Sequence, residues 1–121
     1  MKKVIKLTAC VDGEVIYVNP HRFNYFIETG LVRNVYFGKE RIVVEEPLEE
    51  VKRLIDDPHF IDFCGVANKA SRLLINASQI SEWHEQYDGV FLQVLNDGFV
   101  VQGALEEVTA KIEKALEEGA R

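Results

Sequence analysis

The sequence has few cysteines and no long apolar segment. Its only cysteines, Cys10 and Cys64, are too few and too far apart for a disulfide scaffold or a CxxC metal site, so we expect free, buried thiols in strands. No apolar run exceeds four residues, which excludes a membrane-spanning helix. Alternating residues rather than an apolar stretch follow Met1-Lys2-Lys3, which argues against a secretory signal and predicts a cytoplasmic protein.

The sequence also lacks the motifs of common enzymes. It has no GxGxxG, GxxxxGK[ST] or GxSxG motif, and His21, His59 and His84 do not stand at metal-ligand spacing. Pairing Cys64 with His59 as a nucleophile and base is arithmetically available, but a core cysteine is the simpler interpretation. The glutamates of residues 45–50 are interpreted as a solvated helix start rather than an acid/base pair. We therefore predict that the protein is not an enzyme and has no metal and no cofactor.

The composition is typical of one compact domain with an acidic surface. The 121 residues are 47% apolar, with 14 basic and 20 acidic side chains and a net charge of −6. Residues 1–58 carry nine basic and ten acidic side chains, whereas residues 59–121 carry five and ten. This overall acidity argues against nonspecific binding to nucleic acid.

The chain contains an internal repeat, which is found by aligning the sequence with itself without a gap. In this alignment, called the repeat register below, Val15 stands opposite Arg72. Nine of the 41 aligned pairs between residues 15–55 and 72–112 are identical, including Leu48-Glu49-Glu50-Val51 with Leu105-Glu106-Glu107-Val108. We therefore predict a single domain, residues 1–121, made of repeat 1 (residues 1–58) and repeat 2 (residues 59–121).

Within each repeat, apolar alternation, turn residues and a 3.6-residue periodicity predict two strands, a capped turn, two strands and a helix. The fold class is thus predicted to be α+β, with two pseudo-symmetric ββ-turn-ββ-α repeats forming antiparallel sheet with packed helices. The strands are predicted over residues 4–9, 15–18, 31–37, 41–45, 60–66, 72–75, 90–95 and 99–102, and the helices over residues 47–56 and 104–118. Asn19 and Asn76 align and are predicted to cap the turn in each repeat. Asn96-Asp97-Gly98 is predicted to turn the second hairpin.

Several segments of the first repeat resemble one known family. They are Ile5-Lys6-Leu7-Thr8, Asp12-Gly13-Glu14, Tyr17-Val18-Asn19-Pro20, Ile42-Val43-Val44-Glu45-Glu46 and Leu48-Glu49-Glu50-Val51. They look like the small FlbD-type flagellar and swarming-motility proteins, which are about one repeat long and also have counterparts on bacteriophage genomes. The resemblance implies a fused pair of such modules acting as a non-catalytic binding or assembly accessory protein, motility-associated or phage-borne.

A second set of residues is similar to LytTR-type DNA-binding domains. A Leu-Glu-Glu-Val helix is followed by Phe60-Ile61-Asp62-Phe63, then by Leu74-Ile75-Asn76 and Ile80. Those domains carry a basic stretch with His and Arg between that Phe and the paired apolar-Asn residues, whereas the interval here, residues 64–71, holds one charge. Phosphate contact needs clustered Lys and Arg, so a LytTR-like regulator is kept as an alternative while nucleic acid is not expected as a partner.

Basic residues cluster around the capped turn and first hairpin, where they predict a ligand surface. Its candidate residues are Arg22, Arg33 and Arg41, with His21, Asn24 and Tyr25 beside them. This surface suggests the other alternative, a protein that binds or sequesters a small anionic ligand such as a nucleotide. Open edge strands predict a homo-oligomer, a protein partner remains an option, and no membrane partner is expected.

Overall fold

The computed structural model describes residues 4–37, 40–66 and 71–119. Both halves follow one element order: two strands, a 3₁₀ turn, three strands and a helix. The first half contains β1 (Ile5–Thr8), β2 (Val15–Val18), the first turn (Pro20–Arg22), β3 (Tyr25–Thr29), β4 (Val32–Phe37), β5 (Glu40–Val43) and α1 (Leu48–Ile55). The second half contains β6 (Phe60–Cys64), β7 (Ser71–Asn76), the second turn (Ala77–Gln79), β8 (Ile80–Gln86), β9 (Gly89–Val94), β10 (Asp97–Val101) and α2 (Leu105–Gly119).

The strands form three antiparallel sheets. The largest has the order β5-β4-β3-β7-β6, so the two halves meet where β3 pairs with β7. The β1-β2 hairpin and the β10-β9-β8 meander form the other two sheets. The predicted α+β class, with antiparallel sheet and packed helices, is confirmed at this level.

The five-stranded sheet is the middle layer of the molecule, with an apolar core on each face. Alternate residues of a strand point to opposite faces, so Phe26 and Leu74 contribute to one core while Tyr25 and Ile75 contribute to the other. The β1-β2 hairpin and α1 close the first core. The meander and α2 close the second.

The first core is anchored by carboxylates that also fix the start of α1. Glu28 on β3 accepts a hydrogen bond from the Leu48 backbone N–H at 3.0 Å, while Glu46 accepts from the Thr8 backbone and hydroxyl, each at 2.9 Å. A carboxylate at a helix N-terminus satisfies free backbone donors and the helix dipole. The glutamates of residues 45–50 are therefore only partly a solvated helix start, because Glu46 joins this segment to β1.

Each half contains five strands rather than the predicted four. The missing strands are β3 and β8. Strand β3 pairs on both edges and contributes to both cores, so its apolar residues do not alternate with polar ones. Strand β8 is a largely exposed edge strand whose sequence, Ile-Ser-Glu-Trp-His-Glu-Gln, has little apolar periodicity.

The second hairpin turns earlier than predicted. Asp97 pairs with Val94, so Leu95 and Asn96 form the turn, with Leu95 at φ 55°. Gly98 lies within β10, where an added Cβ would approach the Phe91 ring to 2.6 Å. Its glycine is therefore explained by ring packing across the hairpin. The predicted turn at Gly38-Lys39 and the link at residues 67–70 lie outside the described residues.

The prediction of buried thiols is wrong. Cys10 and Cys64 are both free, as expected, but both are exposed. Cys10 lies in the turn that follows β1, and Cys64 is the last residue of β6. The apolar alternation that predicts these strands therefore does not predict burial of the cysteines at their ends.

Candidate functional site

The two 3₁₀ turns lie side by side because two asparagines fix them. Asn19 Oδ1 accepts from the His21 backbone N–H at 3.0 Å, and Asn76 Oδ1 accepts from the Ser78 backbone N–H at 3.1 Å. Asn76 is buried, and its Nδ2 also donates to the Phe23 carbonyl at 3.2 Å. One side chain thus caps the second turn and ties it to the residue that ends the first.

A small polar pocket opens between these turns. It has a volume of about 300 Å³ and is lined by His21, Arg22, Asn24, Phe37 and Gln79. Its basic and amide side chains are donors suited to phosphate or carboxylate oxygens.

Asn24 is the most informative residue of this pocket. Its backbone is held on both sides, since its N–H donates to the Tyr36 carbonyl and its carbonyl accepts from the Asn76 N–H. The residue is only 6% exposed, and within the described part of the chain its Nδ2 has no hydrogen-bond partner. A buried amide donor without a partner costs free energy, and an acceptor would remove that cost after a local shift that uncovers this atom.

The structure brings together only part of the predicted ligand surface. His21, Arg22 and Asn24 line the pocket, and Arg41 lies opposite Tyr36 at the same end of the sheet. Arg33 lies on β4 four residues before Phe37 and so is about 13 Å away from it along the strand. There its guanidinium is held by Glu28 at 3.1 Å and by the Glu45 carbonyl at 2.7 Å, so it acts in the fold.

Tyr25, the remaining predicted residue, belongs to the second core and does not line the pocket. Its side chain is buried, stacks on Tyr36 at 4.5 Å between ring centroids, and donates its hydroxyl to Asp97 Oδ2 at 2.5 Å. Burial, followed by the hydrogen bond to Asp97, raises the pKa of Tyr25 well above its ordinary value. Tyr25 therefore acts in the fold, as a neutral hydrogen-bond donor that joins β3 to β10.

This raised pKa predicts a loss of stability at alkaline pH. A folded-state pKa above the unfolded value of about 10 gives stability that is complete below pH 10 and declines as pH rises further. We expect Tyr25→Phe to lower the free energy of unfolding by about 1 kcal/mol at pH 7 through loss of the hydrogen bond. Its stability should then fall less steeply than that of the parent above pH 10. Urea titrations between pH 7 and 11 measure this, with exposed Tyr17→Phe as the control; parallel curves for parent and Tyr25→Phe would contradict it.

Two lining residues were missed by sequence reasoning. Gln79 comes from the second half, and Phe37 ends β4. A signal for Gln79 was present, because it aligns with Arg22 in the repeat register. Phe37 was predicted only as the last residue of a strand.

A larger groove, of about 570 Å³, lies between β6 and α2. Its lining includes Lys52, Arg72, Lys111 and Lys114, but its central cation is already paired. Arg72 contacts Asp62 at 2.5 Å and Glu49 at 2.6 Å, and the hydrogen bond from Arg72 lowers the pKa of the Glu49 carboxyl. The unpartnered donor of Asn24 therefore makes the smaller pocket the better candidate for ligand binding.

The described residues form neither a metal-binding cluster nor a membrane-spanning helix. Among residues 4–37, 40–66 and 71–119, no three His, Cys, Asp or Glu side chains gather closely enough to hold a metal ion. Neither α1 nor α2 is long and apolar enough to cross a membrane.

Comparison with known proteins gives one informative result. No protein-family model matches the chain, and no curated protein sequence matches it. Among solved structures, it resembles the LytTr DNA-binding domain of a protein from Bacillus cereus that is described as a methyl-accepting/DNA response regulator. The two share 18% sequence identity with a TM-score of 0.64, over 96% of this chain and 98% of the other. This chain has the LytTr fold.

This finding corrects the expectation about nucleic acid. The acidic composition and the weakly basic interval at residues 64–71 led us to exclude a nucleic-acid partner, yet the fold is that of a DNA-binding domain. Net charge describes the whole surface, whereas DNA contacts only one part of it. The weaker of the two family resemblances is thus the one supported by structure, and the FlbD-type resemblance stays a prediction.

Proposed function

We propose that this protein is a non-catalytic DNA-binding module that contacts duplex DNA through the end of the molecule carrying the two 3₁₀ turns. The observation that carries the proposal is the structural likeness to a LytTr DNA-binding domain, which extends over nearly the full length of both chains. The pocket between the turns is the reason for proposing this end of the molecule as the DNA contact surface.

The chemistry of this end suits a DNA backbone. Arg22 and Arg41 are exposed, and each guanidinium can donate two hydrogen bonds to a phosphate. The amides of Asn24 and Gln79 can donate to phosphate oxygens or base edges. Once a local shift uncovers its buried Nδ2, Asn24 would gain a hydrogen bond without losing one.

The distribution of charge favours approach from the first half. That half is nearly neutral, with nine basic and ten acidic residues, whereas residues 59–121 hold twice as many acidic as basic residues. The second half would repel phosphate at long range and orient the DNA toward the turns. Such steering weakens as salt screens the charges.

Fluorescence anisotropy with a labelled pool of duplexes of random sequence tests the proposal. We expect binding at 50 mM salt that weakens steadily toward 200 mM, with a slope of about −0.9 for each phosphate contact. Absence of binding at 50 mM salt and 100 μM protein would overturn the proposal, because nonspecific dissociation constants are about 10⁻⁴–10⁻⁶ M even at physiological salt.

A second candidate function is the binding of a small anionic ligand. The size of the pocket, about 300 Å³, and the unpartnered donor of Asn24 favour it. A nucleotide or inorganic phosphate would then raise the melting temperature in a concentration-dependent way. Such a rise, together with no binding to duplexes, would favour this candidate over DNA binding.

We also propose that the chain is one domain made of two FlbD-like repeats, residues 1–58 and 59–121. The repeat register aligns nine identical pairs of residues. It also aligns the first 3₁₀ turn, Pro20–Arg22, with the second, Ala77–Gln79, and strand Val32–Phe37 with strand Gly89–Val94. The two capping asparagines, Asn19 and Asn76, also align in this register. An accessory role in motility or on a phage genome belongs to this part of the proposal.

A further inference from the structure

The three sheets follow one another as a continuous order of ten strands. Ala9 bridges to Val44, which joins β1 to the end of β5, and Gly65 bridges to Val101, which joins β6 to β10. The full order is therefore β2-β1-β5-β4-β3-β7-β6-β10-β9-β8. In the described part of the chain, β2 and β8 are its two ends, and each has one unpaired edge.

These two end strands correspond to the two strands that meet in the middle. The repeat register relates β8 to β3 and β2 to β7. The β3-β7 pair is the junction between the halves of the chain. A β8-β2 pair would reproduce this junction, but β8 and β2 of the same chain are at opposite ends of the order.

The outward backbone groups of β2, and those of β3 as the repeat equivalent of β8, have the register that such a pair requires. Ala9 N–H donates to the Glu14 carbonyl, so Glu14 and Ile16 face β1 while Val15 and Tyr17 face the open edge. On β3, the Asn24 carbonyl accepts from Asn76, so Phe26 and Glu28 face β7.

The equivalents of Phe26 and Glu28 on β8 are Trp83 and Glu85. The β7 partners of Phe26 and Glu28 are Leu74 and Arg72, whose β2 equivalents are Tyr17 and Val15. A β8-β2 junction in the β3-β7 register thus pairs Trp83 with Tyr17 and Glu85 with Val15.

We propose that copies of this chain associate head to tail, with β8 of one copy adding to β2 of the next. The side chains of β2 agree with this, since Val15 is 51% and Tyr17 69% exposed on an edge that carries no charged residue. The contact uses a different patch on each copy, so it leads to a ring or an open chain of copies. One strand pair buries less than the about 1,200 Å² of a standard interface, so we expect weak association, in the micromolar range or above.

Proline variants test this pairing in the whole protein. Tyr17→Pro removes one outward N–H from β2, and Glu85→Pro removes one from β8; proline is tolerated where an edge N–H faces solvent. Sedimentation velocity of the parent between 10 μM and 1 mM should show concentration-dependent association. Each variant alone should associate at least tenfold more weakly. Tyr17→Thr, which keeps the N–H, should associate like the parent.

Mixing the two variants gives the sharpest result. A copy with Tyr17→Pro keeps β8 open and a copy with Glu85→Pro keeps β2 open, so an equimolar mixture should form dimers and nothing longer. The proposal would be overturned if the parent stays monomeric at 1 mM or if the proline variants associate like the parent. It would also be overturned if the mixture stays monomeric when the parent associates.

Charge variants serve if a proline disturbs folding, as judged by circular dichroism and melting temperature. Val15→Glu would face Glu85 of the next copy and should weaken association at least tenfold. Combining Val15→Glu with Glu85→Lys should restore it. Failure of both effects would also overturn the pairing.

Discussion

The double variant Arg22→Glu, Arg41→Glu is expected to weaken binding to duplex DNA by about tenfold or more and to reduce the salt slope by about two, at an unchanged melting temperature. Both guanidinium groups are exposed at the end of the molecule that carries the pocket, and the structure gives neither of them a role in the core. Their reversal removes two phosphate contacts and adds two repulsive charges. Anisotropy titrations at three salt concentrations measure the change.

A matched control separates position from net charge. Arg53→Glu, Lys114→Glu reverses two exposed cations on α1 and α2 and changes the net charge by the same amount. We expect this control to lose no more than about threefold in affinity at moderate salt, because distant exposed charges are screened. Equal losses in both double variants would mean that the turns are not the contact surface.

The largest effect on stability is expected from Phe23→Ala, at about 3–5 kcal/mol of unfolding free energy. Phe23 ends the first 3₁₀ turn and is fully buried. Its ring meets Phe37 at 5.8 Å and Phe60 at 5.5 Å, both edge to face. Removing the ring would leave a cavity directly behind the pocket and loosen the turn that positions His21 and Arg22.

The equivalent change in the second half provides the comparison. Ile80 ends the second turn and aligns with Phe23 in the repeat register, but it is only half-buried. Ile80→Ala should therefore cost less than about 2 kcal/mol, because less apolar surface is removed from the core. Urea denaturation of both variants measures the difference. Equal costs would contradict the unequal burial of the two turns.

The sequence predicted the elements whose periodicity is set by one buried face. Strand β2 was predicted with the bounds that the structure has, and both helices within one residue at each end. The capping roles of Asn19 and Asn76 were also predicted correctly, because a side-chain acceptor before a turn is a local feature. Local signals such as these do not depend on which strands later become neighbours.

The features that were not predicted depend on contacts between residues that are far apart in the sequence. Strand β3 was not predicted because both of its faces are packed and both of its edges are paired, so apolar and polar residues do not alternate along it. Strand β8 was not predicted because it is an edge strand whose residues are mostly exposed. Clustering by sequence grouped Arg33 with Arg22 and Arg41, but in the fold Arg33 is held by Glu28 and the Glu45 carbonyl, away from the turns. Gln79 joins the pocket only because β7 pairs with β3, a contact between strands that are far apart in the sequence.

The likeness to a DNA-binding domain could likewise not be read from composition. An acidic average suggested no contact with nucleic acid, whereas the fold resembles a DNA-binding domain. The cationic residues concerned are few, and folding gathers Arg22 and Arg41 at one end of the sheet. Their arrangement, rather than their number, defines the candidate surface.

The most direct test of DNA binding at the turns follows the side-chain amides of Asn24 and Gln79 by NMR as duplex DNA is added to ¹⁵N-labelled protein. Both signals should shift and saturate together with the anisotropy curve, because both residues line the pocket. The Gln102 amide, which donates to the Gly65 carbonyl away from the turns, should remain in place. Saturable DNA binding that leaves the Asn24 and Gln79 signals unmoved would contradict the account.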